Sequence, residues 1–517
     1  MSQTTFFIYD YESFGINPAT DRPAQFAGIR TDSEFNIIGD PMMFYCKQTS
    51  DYLPTPEAVM VTGISPQLCN REGLSEPEFA ARIHAEFSQP NTCIMGYNNI
   101  RYDDEMTRYT FFRNFFDPYE YSWKNGNSRW DLLDVVRACY ALRPQGIEWA
   151  YDDQGMPSFK LENLTKANGI AHENAHDAMS DVYATIAMAK LIKQKQPKLF
   201  QFFWENRGKK ALEAMIDTGE MTPLVHVSGM LGNYRGNTTW IAPLAWHPTN
   251  KNALIVCDLA GDVSGLLNES VEQLRENLYT KKADLEEQGE RAVPLKLVHI
   301  NKSPILAPAK TLLPENAERL GIDREACLAN LSILKANKRI VREKVTDIFS
   351  EERQFAASDN VETTLYDGFF EPADKNNMAI LRELKPLELA NHGLRFNDPR
   401  IERLLFHYRA RHYSETLTRA EQIRWQKYCH QQLEQKLPQF EASLEQLFQQ
   451  YHDNPQKVVL LEELAKYAET LWVGKIYHSA STAESEKLVN ALNQVAEKQA
   501  TKAEKIKVLE ALLANKK

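Results

Sequence analysis

The chain has 517 residues, a formal net charge of -10 and 25% charged residues. At roughly 150 residues per domain this length suggests about three cores, and the apolar runs fall short of the ~18 residues that span a bilayer. The composition therefore excludes a membrane-spanning protein and one coated in positive charge for indiscriminate duplex binding, while leaving room for a confined basic groove.

The N-terminus has neither a basic segment nor an apolar one behind it, so a cytoplasmic address is expected. Seven widely scattered cysteines with no Cys-x-x-Cys pair are expected to be reduced, buried and structural.

In chain order, Phe6 to Tyr11, Gln25 to Thr31 and Pro41 to Lys47 read as strands, with turn residues Asp21-Arg22-Pro23 and Ser33-Glu34 between them. Glu76 to Phe87, Asp104 to Phe116, Trp130 to Leu142 and Asp177 to Lys193 have the apolar spacing of helices, with a short strand at Cys93 to Met95 and a stop at Pro197. Three strands followed by helices make a mixed sheet with helices packed on it, an α/β domain over residues 1–195. Short β-like segments follow at Leu224 to Val227, Thr239 to Ala242, Ala253 to Leu259 and Leu295 to Ile300, punctuated by glycines, with helices over 271–282 and 323–350. They suit a small barrel in a domain of residues 196–352. Residues 353–475 read as a helical domain with loops near Asn397-Asp398-Pro399 and Asn454-Pro455. A capping box at Ser481 and Glu484 and apolar stripes from Leu488 to Leu513 make 476–517 either exposed amphipathic helices or a partner-docking tail.

The chemistry concentrates in the first domain. Asp10 and Glu12 interrupt an apolar strand, and because strand side chains alternate, both carboxylates point the same way. Two acids side by side in an apolar setting repel and lose hydration, so they persist only if protonated or neutralised by cations. Asp103, then His176 and Asp181 in His-x4-Asp spacing at the start of a helix, complete a set with oxygen ligands for hard divalent ions. Two such ions about 3.5 to 4 Å apart generate a nucleophile at neutral pH and stabilise a leaving oxygen. His176, with an ordinary pKa near 6.5, is a candidate base for the attacking water. The pattern predicts a two-metal phosphodiesterase.

The order Asp-x-Glu, Asn-x-x-x-Asp, His-x4-Asp resembles the DEDDh exonuclease superfamily. Longer strings, Tyr9-Asp10-Tyr11-Glu12-Ser13-Phe14-Gly15, Gly96-Tyr97-Asn98-Asn99, Ser128-Arg129-Trp130-Asp131 and Asn174-Ala175-His176-Asp177-Ala178, resemble the bacterial exonuclease I family over about the first 470 residues. The resemblance implies an RNase-H-like exonuclease domain, a Src-homology-3-like β-barrel domain and a helical C-terminal domain around a DNA channel. It also implies 3'→5' hydrolysis of single-stranded DNA to 5'-mononucleotides, in recombination and mismatch repair, by a monomer. Magnesium would be held by Asp10, Glu12, Asp103 and Asp181, with manganese a possible substitute and His176 the general base. The implied protein partner is single-stranded DNA-binding protein, through its acidic C-terminal tail. An RNA exonuclease of the same superfamily would use the same five residues, and the two extra domains favour a long DNA track.

Single-strand binding pairs aromatic platforms with cations along the phosphates. Arg108, Tyr119 and Trp123 are the candidates in the aromatic stretch 108–130, where Phe111, Phe112, Phe115 and Phe116 have core-like spacing. Glu12 is also expected to contact the DNA, and Lys160 is expected, by the resemblance, at the terminal nucleotide. Basic clusters at His299 to Lys302, Lys335 to Lys344 and Arg403 to Arg411 are expected to line the channel, the middle one also fitting an acidic peptide, with a solvated helix face the alternative for each.

Overall fold

The computed structural model describes residues 4–172, 177–350 and 358–479, with side chains as far as Trp472. His176 and the stretch from 480 to 517, with its expected capping box and apolar stripes, lie outside the described residues.

The first domain is built on a five-stranded sheet of β1 (Thr5–Ser13), β2 (Pro23–Thr31), β3 (Met42–Tyr45), β4 (Thr92–Gly96) and β5 (Ser128–Asp131), in the order β3-β2-β1-β4-β5. β1, β2 and β3 are an antiparallel meander, whereas β1, β4 and β5 run parallel. Alternation along β1 splits its side chains between two cores. Phe7, Tyr9 and Tyr11 pack with Phe26, Phe79 and Phe87, while Phe6 and Ile8 pack with Ala178, Val182 and Ile186 of the helix Ala178–Lys195. Asp10 and Glu12 continue that second face toward the strand's C-terminal end.

One local reading is corrected. Ser128–Asp131 is a strand, and the helix expected from Trp130 starts at Leu132, because the Asp131 side chain accepts the Leu133 N–H as an N-cap. The helix Ala178–Lys195 stops before Pro197 as expected, and Pro197 in turn opens a further helix, Pro197–Glu205, where its missing N–H costs nothing. A two-residue ribbon, β6 (Ala150–Tyr151) and β7 (Pro157–Ser158), then leads into the helix Leu161–Ala167.

The barrel domain is an antiparallel sheet of β8 (Leu224–Val227), β9 (Thr238–Trp246), β10 (Ala253–Asp258), β11 (Leu295–His299) and β12 (Ile305–Pro308), ordered β11-β10-β9-β8-β12. Pro243, which cannot donate to a ladder, sits where the β9–β10 register shifts. The inner face packs Leu224, Ile241, Leu254, Val256, Val298 and Leu306. The helices Arg324–Ala336 and Lys338–Ile348 lie beside it.

The C-terminal region is helical, and its junction with the first domain has an apolar part and an ionic part. Phe112 and Phe115 pack against Val361, Leu365, Phe370 and Leu404. Beside them Glu362 accepts from Arg22 at 2.6 Å and from Arg411, and Arg411 also reaches Asp51 at 2.8 Å. Burial opposes ionisation of Glu362, but Arg411 and Arg22 outweigh it and hold its carboxyl well below the usual range. The expectation that Arg403 to Arg411 lines a channel is therefore corrected for two of its cations. Arg411 belongs to this buried network, and Arg409 is paired with Glu421. All seven cysteines are free and buried.

Removing the shared acid leaves two buried guanidiniums facing each other. Glu362→Leu is expected to destabilise the protein by about 3–5 kcal/mol, read as a lower urea midpoint of unfolding; an unchanged midpoint would show that the network contributes nothing.

Candidate active site

The acids meet where the parallel strands end. A close approach begins the arrangement: a Cβ on Gly96, the last residue of β4, would lie 2.8 Å from both Tyr9 O and Asn99 Cβ. Only glycine lets the chain turn there against β1. The following loop is organised by Asp131, whose carboxylate accepts the amides of Asn98 (2.9 Å) and Ile100 (3.3 Å). It delivers Asp103 to the N-terminus of the helix Asp103–Arg113, where Asp103 Oδ1 accepts the Tyr11 N–H at 3.2 Å. The neighbouring Asp104 is held by the Tyr9 hydroxyl at 2.6 Å and by Arg129. Arg129 also donates to Asn301 O at 2.9 Å, tying the site to the barrel domain.

Asp181 arrives from the opposite side. Asp177 caps the helix Ala178–Lys195 through the Ser180 amide, and Gln25 of β2 bridges it by donating to Asp177 Oδ1 and accepting the Ala178 N–H. Asp181 thus stands in the first helical turn over the end of β1. Each of Asp10, Glu12 and Asp181 offers a carboxylate oxygen, and these atoms all lie within 4.8 Å of one another. Asp103 is outside that group but electrically part of it, since its charge raises the pKa of both Asp10 and Glu12.

Burial, then the neighbouring acids, pushes Asp10 well above the usual carboxylate range. The same causes, with Asp181 the largest neighbour, push Glu12 up to about 9. Burial and Asp104 push Asp103 up to about 8, despite the Tyr11 amide. Among the described residues none of Asp10, Glu12 and Asp103 has a basic ion-pair partner. Buried carboxylates crowded together in this way fit hard divalent ions, which supply positive charge.

The candidate DNA residues fall into two groups. Arg108 is buried, pairs with Glu105 at 3.1 Å, donates to the Tyr366 hydroxyl at 3.2 Å and lies over the Tyr119 ring at 5.3 Å. Lys302 of the barrel domain shares its electrostatic surroundings with Glu105, Arg108 and Arg129; burial lowers its pKa first, and Arg108 adds to that. Trp123 is separate and 61% exposed. Lys160 is exposed, occupies the residue just before the helix Leu161–Ala167 and lies 3.8 Å from Glu162. Phe111, Phe112, Phe115 and Phe116 are all buried, as their spacing suggests. Sequence reading passed over the residues that hold the acids in place, Gln25, Asp104, Arg129 and Asp131, because each is an ordinary polar residue until the fold supplies its partner.

Three family models cover almost the whole of this architecture: an exonuclease model over residues 7–189, an exonuclease I SH3-like domain over 207–351 and an exonuclease I C-terminal domain over 359–471. Exodeoxyribonuclease I of Haemophilus influenzae is 74% identical over 463 residues, 90% of this chain and 98% of the relative. The chain belongs to the exonuclease I family. Among solved structures of that family, the zinc-bound E. coli ExoI–ssDNA complex matches at a TM-score of 0.88 and 57% identity, covering 91% of this chain and all of that one. An SSB/Exonuclease I structure with the inhibitor CFAM matches at 0.85 and 56%, again over 91% of this chain and all of that one. As a member of the exonuclease I family the chain is a nuclease, and its fold is that of the family.

The raised carboxyl groups fix a pH dependence. Glu12 and Asp103 in the unfolded chain titrate near 4.5 and 3.8, so the metal-free folded state holds more protons up to about 9 and 8. Its stability must fall as pH rises through that window. The unfolding temperature in chelator is expected to drop between pH 6 and pH 9, and magnesium to reduce the drop. A metal-free midpoint insensitive to pH across that window, or one that magnesium leaves unchanged, would contradict the electrostatics described above.

Proposed function

We propose that this protein is a single-strand-specific 3'→5' exodeoxyribonuclease that releases 5'-mononucleotides by two-metal-ion hydrolysis, acting in the cytoplasm in DNA recombination and mismatch repair. The observation that carries the reading is the convergence of Asp10, Glu12 and Asp181 beside Asp103, with no basic ion-pair partner for Asp10, Glu12 or Asp103 among the described residues. Asp10, Glu12, Asp103 and Asp181 hold magnesium, and manganese substitutes. Bound there, two divalent ions supply a nucleophile at neutral pH and neutralise the departing oxygen. His176 takes the proton from the attacking water; its spacing from Asp181 is what supports that role.

The strand is held by side chains of three kinds. Tyr119 and Trp123 offer stacking faces, Arg108 and Lys302 offer charge near the phosphates, and Lys160 and Glu12 flank the terminal nucleotide. The ssDNA complex of the E. coli relative supports this class of ligand. The domain limits are proposed near residues 195, 352 and 475, and the working form is a monomer.

The SSB/Exonuclease I structure supports SSB as a protein partner. Its acidic tail is proposed to dock on the helices Arg324–Ala336 and Lys338–Ile348. There Lys335 and Arg339 are exposed beside Ile333 and Ile340, which are 40% and 43% exposed. Arg342 and Lys344, by contrast, are hydrogen-bonded to carbonyls of the barrel domain and take no part in this surface.

A 5'-labelled single-stranded oligodeoxynucleotide in magnesium is expected to shorten progressively from its 3' end, a fully paired duplex to stay intact, and Asp10→Ala to abolish the reaction. An untouched strand, or full activity in the variant, overturns the assignment. Trp123→Ala is expected to weaken oligonucleotide binding by about 1–3 kcal/mol, the worth of one stacked base, with kcat nearly unchanged; unaltered binding would remove Trp123 from the strand path.

A further inference from the structure

Asp181 has a neighbour that the five expected catalytic residues do not include. His172 lies nine residues earlier in the chain, its side chain only 3% exposed, with Nε2 2.5 Å from Asp181 Oδ1. A carboxylate oxygen only accepts, so the Nε2 hydrogen donates to it. The other ring nitrogen lies 3.1 Å from the Thr165 hydroxyl, which is itself within hydrogen-bond distance of the Leu161 and Glu162 carbonyls, at 2.9 and 3.0 Å. Thr165 is fully buried. The imidazole is therefore gripped at both nitrogens and shut away from water, and its orientation is set by the helix Leu161–Ala167.

We propose that His172 is a positioning residue that fixes the carboxylate of Asp181, and so the geometry of the metal site, by tying it to the helix Leu161–Ala167, which Lys160 directly precedes. This rests on the reading of Asp181 as a metal ligand. The need for such a brace follows from the location of Asp181. It stands in the first turn of a helix, with 20% of its side chain exposed, and must meet Asp10 and Glu12 from the helix packed on their face of the sheet. A short side chain there has more than one staggered position open to it. A hydrogen bond to one carboxylate oxygen selects the rotamer and the plane of the group. Partners that orient metal-binding carboxylates in this way are worth roughly 10- to 100-fold in metal affinity or activity.

The chain of contacts also joins two parts of the site. Lys160 stands at the N-terminus of the helix Leu161–Ala167, and Thr165 lies within that helix. From Thr165 the link passes through His172 to Asp181, so the proposed terminal-nucleotide contact and a proposed metal ligand share one rigid support.

The test measures Mn2+ affinity by calorimetry on the full chain without DNA, together with kcat and KM on a single-stranded oligodeoxynucleotide and the unfolding temperature in chelator. His172→Ala is expected to raise the Mn2+ dissociation constant roughly 10- to 100-fold and to lower kcat by a comparable factor, with KM little changed. His172→Gln, whose amide N–H reaches the place of Nε2, is expected to recover most of both. Asp181→Asn is measured alongside and should lose Mn2+ binding and activity. If Asp181→Asn keeps both, the reading of the metal site fails. If it loses both while His172→Ala keeps its Mn2+ affinity and kcat, His172 has no positioning role. Losses in His172→Ala that follow a fall in unfolding temperature and that glutamine does not restore also overturn the proposal.

Discussion

Repulsion among acids that the fold forces together is the constraint on which the rest of the structure turns. Asp10 and Glu12 share a strand face that elsewhere carries Phe6 and Ile8, and Asp181 and Asp103 are brought up to the same end of β1. Every one of these placements opposes the others electrostatically, since burial and like charge act in the same direction. The fold accommodates them because the surrounding framework is strong: two aromatic and aliphatic cores clasp the sheet, and the loops carrying the acids are pinned by backbone amides to Asp131 and by Gln25 to Asp177. Strain of this kind, retained at one end of a well-packed sheet, is the usual mark of a site whose missing partner is a cation.

The two further domains act on this site as well as beside it. Arg129 spans from Asp104 to the backbone of Asn301, so the segment carrying Lys302 is in register with the helix that begins at Asp103. Helix Asp103–Arg113 in turn packs Phe112 into the C-terminal region, and Glu362 draws Arg22 and Arg411 together at the same junction. One helix therefore carries a candidate ligand at its start and an interdomain core along its length. Movement of either outer domain would be felt at the acids, which is a physical reason for a nuclease with this fold to keep all three parts in contact.

Much of this was legible in the residues alone, for identifiable reasons. Period-two alternation places Asp10 and Glu12 on one face without any knowledge of the fold. The glycine-punctuated β segments gave the barrel, although Ile305–Pro308 was too short and too rich in proline to stand out. The Ser128–Asp131 strand was hidden because the helical pattern after it is stronger than its own four residues. Arg411 looked like part of a surface stripe because its partners, Asp51 and Glu362, lie 360 and 49 residues away. His172 gave no signal although its partners Thr165 and Asp181 are only seven and nine residues away, because nothing in the pattern of residue types shows that the chain folds both onto one imidazole.

The most direct measurement is anomalous diffraction from crystals grown with Mn2+ and a short oligothymidylate. The account predicts two manganese peaks at the end of β1, bracketed by Asp10, Glu12, Asp103 and Asp181, with the 3'-terminal phosphate between them. Manganese bound elsewhere, or a strand whose 3' end lies away from these four carboxylates, would contradict it.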